Sequence, residues 1–185
     1  YLIAALFSLL LVVFILNPAE MFEQARDGKR VTEIKTVSDA LNITLAEGRN
    51  LSLGTPFVLY TSLPDSVSDC SSYPDLPRPL PARWSYHCAP GATLRNIDGT
   101  GWIPVDLRQA SLHPPVNVLP IDPTNTSDGF YFTYAATAQK FEFNARMSSK
   151  RYVYKGSRDL ESTDGGDSKF LYEKGTDLTA IPVNS

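Results

Sequence analysis

Hydrophobic positions follow three rhythms along this chain. From Tyr1 to Leu16 they are continuous, and YLIAALFSLLLVVFIL contains no charged residue. As a helix this run would span roughly 24 Å, slightly less than a hydrocarbon core of about 30 Å. Asn17-Pro18 then interrupts it, because proline lacks the backbone N–H and crowds the preceding turn. Beyond Pro18 the rhythm is helical. Val31, Ile34, Val37, Leu41 and Leu45 recur at spacings that place them on one stripe, with Phe22 ahead of them. Opposite charges fill the remaining faces: Glu23 with Arg26, Asp27 with Arg30, Lys29 with Glu33. Such pairs support an exposed helix by a few tenths of a kcal/mol each. The pattern predicts one long helix, bent or locally unwound just before Pro18 and ended near Gly48.

The third rhythm is alternation. Phe130–Tyr134 and Lys140–Arg146 flank Ala136–Gln139 and predict a β-hairpin, with a third strand over Lys169–Glu173. Shorter runs at Phe57–Tyr60 and Arg83–Cys88 read as strands, and Trp102, Ile103, Val105 and Leu107 are expected against the helix. The predicted fold is α+β: a long kinked N-terminal helix packed on a small antiparallel sheet, with a loop-rich middle. The meander should place one face on the helix and the other toward solvent. Residues 1–18 form a transmembrane or core-helix segment; residues 19–185 form the globular part.

Composition narrows the function classes. The net charge is −3 and the pI about 5.4, with no basic patch evident, which disfavours nucleic acid as a main partner. Most of the 14 prolines lie between Pro56 and Pro123, so the middle of the chain should be loop. Cys70 and Cys88 are expected to be disulfide-bonded in a chain that leaves the membrane; two buried free thiols are the alternative.

The apolar run has simpler readings. A secretory signal would show a basic start and a small-residue cleavage site, but Asn17-Pro18-Ala19-Glu20 follows instead. A plain membrane anchor leaves the amphipathic continuation unexplained. A buried core helix would need a larger domain around it.

Asn17-Pro18-Ala19-Glu20, Ala25-Arg26-Asp27, Lys29-Arg30 and the Ile34/Val37/Leu41 stripe resemble bacterial type IV pilins and type II secretion pseudopilins. The segments PIDPTN and DGGD, each followed by an aromatic strand, are similar to the sheet of that family. The resemblance implies a helical filament of many copies, at the cell surface after residence in the inner membrane. Leu2, Ile3, Leu6, Phe7, Leu10, Val13, Phe14 and Leu16 would then form the assembly interface, and Asn17 and Pro18 the helix break. The sequence departs from the pattern at Ala5, where the family carries a glutamate. Residues missing ahead of Tyr1 would account for this, and for the short run.

Chemistry-bearing motifs are sparse. His87 and His113 stand in no nucleophile or metal motif, and no GxSxG, P-loop or GxGxxG occurs. No catalytic residue and no cofactor are expected, apart from calcium. The resemblance makes Asp159, Glu161, Asp164 and Asp167 a candidate calcium loop, with Gly165-Gly166 allowing a tight backbone. A solvated acidic loop is the rival reading. Asp122 is expected to bond its own backbone. Asn42, Asn50 and Asn125 begin N-x-S/T triplets, Asn125 in the most turn-like context.

Overall fold

Helix α1 (Pro18–Ala46) starts where the apolar run stops, with Asn17 ahead of it in a left-handed conformation, φ 40° and ψ 69°. Proline suits this first position, because its missing N–H would have had no intrahelical partner. A computed structural model describes residues 17–47, 51–109 and 116–182. Tyr1–Leu16, with all eight residues of the expected assembly interface, lies outside them. So do Gly48, Asn50 and His113. Among the described residues, no helix is long and apolar enough to cross a membrane.

The sheet has five strands in the order β2-β1-β3-β4-β5: β1 (Val58–Pro64), β2 (Ser85–Ala89), β3 (Thr133–Thr137), β4 (Lys140–Ala145) and β5 (Tyr172–Gly175). The predicted meander is present as β3-β4-β5, all antiparallel. β3 differs from expectation in starting at Thr133 and running through Ala136 and Thr137, which the sequence assigns to the turn, and two further features differ. The sheet is mixed, because β1 pairs parallel with β2 and antiparallel with β3. The last strand begins three residues late. Phe170 is 50% exposed, and Glu142–Ala145 pair with Tyr172–Gly175 instead.

Alternation along the strands divides the core. Tyr60, Tyr134, Ala136, Phe141, Phe143 and Ala145 point to the helix side, where Ile34, Val37 and Leu41 meet them. Trp102, Ile103, Val105 and Leu107 complete this layer as expected, and the indole Nε1–H donates to Pro120 O at 2.8 Å. Of the predicted helix stripe, only its middle is fully buried; Val31 and Leu45 are half-buried and Phe22 is exposed.

The opposite face of the sheet is not open to solvent, contrary to the sequence reading. Leu59, Leu63, Tyr86, Cys88 and Ala135 pack there against Cys70, Leu76, Tyr131 and Ile181. Parallel pairing explains the cover. Two parallel strands need a return crossing between them, and the chain from Asp65 to Trp84 supplies it without a regular helix. The Cys70–Cys88 disulfide, Cα–Cα 5.3 Å, pins this crossing to β2. The carboxylate of Asp65 holds its start, accepting the N–H groups of Val67 and Ser72 and the Ser72 hydroxyl.

Candidate functional site

Three turns into α1 the buried face becomes ionic. Asp27 and Arg30 are both fully buried, not the exposed helix pair their spacing suggested. Arg30 Nη1 donates to Asp27 Oδ1 at 2.7 Å, while Nε and Nη2 donate to Asp122 Oδ2 and Oδ1 at 2.7 and 3.0 Å. Thr124 and Ser148 hydroxyls accept two further bonds. The carboxylates are satisfied in turn: Asp27 by the N–H groups of Ser148 and Ser149, Asp122 by those of Thr124 and Asn125. Asp122 thus bonds its own backbone, as expected, and also the helix. Burial alone would lower the Arg30 pKa, but its bonds to Asp122 and Asp27 outweigh that and raise it. A charge of this kind is stable in the interior only when so fully bonded. The node fastens the start of α1 to two loops of the domain.

One of those loops continues as KRYVYKGSR, residues 150–158, with four cations and no acid. Lys150 N–H donates to Glu20 Oε2 at 3.2 Å, which sets the loop against the first turn of α1. Tyr154 stacks edge-on against Phe170, ring centroids 5.5 Å apart. The sequence reading missed this patch, because net charge averages it away; counting charge over a nine-residue window would have found it.

The four candidate calcium ligands are not brought together. Asp159 accepts the N–H groups of Lys155, Glu161 and Ser162. Glu161 is buried and accepts those of Met147 and Tyr154. Asp164 accepts those of Gly166 and Glu173, and Asp167 is exposed. Among the described residues, no group of three or more His, Cys, Asp or Glu side chains is placed to hold a metal ion. His87 is half-buried beside the Tyr60 ring, and burial lowers its pKa. Asn125 is tied to β1: its Nδ2 donates to Ser62 O and its Oδ1 accepts the Ser62 hydroxyl. That ties up the nitrogen a glycan would need, whereas Asn42 is exposed on α1.

A pair of buried acids lies on the outer face of the sheet. Glu142 on β4 and Glu173 on β5 give one oxygen each to the N–H groups of Ile181 and Ser168. Among the described residues their other oxygens find no N–H or O–H donor. The two carboxyls lie within reach of each other, and a hydrogen bond between them requires one to hold a proton. Burial pushes Glu142 up to about 7; burial and the Glu142 neighbour push Glu173 to about 9. Next to them Asn144, also buried, lines a cavity of about 270 Å³ bounded by Tyr86, Asp128, Tyr131, Arg146 and Ile181.

Comparison with known proteins finds no matching family model, no matching curated protein and no matching solved structure.

Proposed function

We propose that this chain is the structural subunit of an extracellular, type IV pilus-like helical filament, inserted in the inner membrane before assembly. The observation that carries this reading is the continuity between the apolar run and the domain. α1 begins at Pro18, directly after sixteen uncharged residues, and within four turns Arg30 fastens it to the sheet-bearing body. An apolar helix drawn out of lipid must bury itself again, and neighbouring copies offer that burial at about 25 cal/mol per Å². Leu2, Ile3, Leu6, Phe7, Leu10, Val13, Phe14 and Leu16 are the residues proposed to meet other copies. Adhesion, motility and DNA uptake are the roles open to such a filament, and a minor pilin or secretion pseudopilin is the nearest variant. No catalysis is proposed.

A reading of another class is a membrane-anchored binding domain that never polymerises. The cavity beside Asn144 favours it, since among the described residues neither the donor nor the acceptor of that buried amide finds a partner. Leu10→Asp separates the two. It places a charge in the middle of the run, where insertion scales penalise it by about 2.5–3.5 kcal/mol and where packing between copies would leave it unpaired. Negative-stain imaging under assembly conditions should show fibres for the native chain and none for the variant. Normal fibres from Leu10→Asp, or discrete particles only from the native chain, would overturn the filament reading.

A further inference from the structure

We propose that the loop 150–158, with Met21, Phe22 and Phe170, is a docking surface for the anionic phospholipid headgroups of the membrane from which the chain emerges. The proposal rests on the reading that Tyr1–Leu16 inserts into a bilayer. That reading puts the first turn of α1 at the lipid–water boundary, and this turn is unusual. Met21 and Phe22 are 58% and 66% exposed on a helix whose polar residues could have covered those positions.

On another side of the same turn, the one that carries Glu20, the loop presents Lys150, Arg151, Lys155 and Arg158. Lys150, Arg151 and Lys155 share an open recess with Glu20 and Gln24. Among the described residues none of the four cations forms an ion pair, and Arg151 Nε is buried without a partner. The nearby acids are already engaged. Glu20 accepts bonds from Gln24 and the Lys150 N–H, and Asp159 is occupied by backbone N–H groups. Four cations against the two carboxylates of Glu20 and Asp159 leave the patch locally positive in a chain of net charge −3.

Its aromatic residues select the partner. Lys155 Nζ lies 5.0 Å from the Tyr154 ring, which contacts exposed Phe170. Cations interleaved with tyrosine and exposed phenylalanine suit the headgroup boundary, where phosphate lies above acyl chain. Nucleic acid would satisfy the cations but leave Met21, Phe22 and Phe170 in water. The attraction of each Lys or Arg to an anionic leaflet is electrostatic and is screened by salt.

The test uses the full chain reconstituted into vesicles of phosphatidylcholine, alone or with about one third phosphatidylglycerol. Flotation reports insertion, and amine-reactive labelling read by mass spectrometry reports lysine exposure. The expected result is flotation with both vesicle types. Lys150 and Lys155 should label about threefold or more slowly on anionic vesicles at low salt, with Lys35 and Lys140 unchanged. High salt or Arg158→Glu should remove most of that protection. Equal labelling of an inserted chain on both vesicles overturns the docking surface and leaves the membrane reading standing. Failure to float with either overturns both. Stronger protection by a single-stranded oligonucleotide than by anionic vesicles would reassign the patch to nucleic acid.

Discussion

Arg30 and Asp122, separated by 92 positions, form a buried two-pronged ion pair that joins the helix to the loop preceding β3. Asp27 closes the group on the other side, so one cation serves two carboxylates. Truncating Arg30 would leave both acids buried without their counter-charge. Arg30→Ala is expected to cost roughly 3–5 kcal/mol, read as a lower urea midpoint at unchanged slope. Asp122→Asn should cost less, because the amide oxygen can still accept one guanidinium bond.

The same geometry sets where a soluble fragment can begin. Starting near Asp27 would put a carboxylate that holds Ser148 and Ser149 on a fraying end. A fragment from Asn17 onward should fold cooperatively, and one from Gly28 should show a lower melting temperature by several degrees. Equal melting of the two would mean that Asp27 contributes nothing.

The Glu142–Glu173 pair predicts an inverted pH dependence. Both acids are raised above the ordinary glutamate value of 4.5, so the folded chain binds more protons than the unfolded chain above that pH. Their contribution is fully present below about pH 4.5 and is lost as pH rises through about 7 and on to about 9. Melting temperature should therefore fall from pH 5 to pH 9. Glu173→Gln removes one titration and keeps an oxygen for the Ser168 N–H, so it should flatten the profile and raise the melting point at pH 8. A native profile that rises over this range would refute the shared proton.

Reducing Cys70–Cys88 frees the crossing over the outer face of the sheet. The bridge closes a loop of 18-residue separation, for which chain entropy alone gives about 3 kcal/mol. Alkylation should add no label before reduction and two after it. The reduced protein should also expose Leu76, with faster proteolysis of the Asp65–Trp84 segment.

Much of the fold was legible because its signals are local. The amphipathic stripe, the helix start at Pro18 and the hairpin around Ala138 each depend on neighbours within a few residues. What was hidden depends on distant partners. Asp27 and Arg30 have the spacing of a surface pair, and only Asp122, Ser148 and Ser149 show that they are interior. Phe170 and Leu171 have the character of strand residues and place β5 three residues early, whereas the ladder to β4 selects Tyr172–Gly175. The parallel β1–β2 pairing leaves no mark on either strand, so the covered outer face could not be foreseen. For the candidate site, the cysteine pairing was readable from the cysteine count. The acidic loop has the composition of a ligand set, whereas the backbone N–H groups that Asp159, Glu161 and Asp164 accept cannot be read from composition.

The position of the Arg30 node also matters mechanically. Tension entering the domain along the polypeptide at residue 17 reaches Asp27 after about 14 Å of helix and passes there into the backbone at Ser148 and Ser149. The hydrophobic stripe from Ile34 to Leu41 and the disulfide lie beyond that point and are shielded while the node holds. A pulled chain should uncoil its first turns, stall at Arg30, and release the rest of the helix only when the ion pair with Asp122 ruptures.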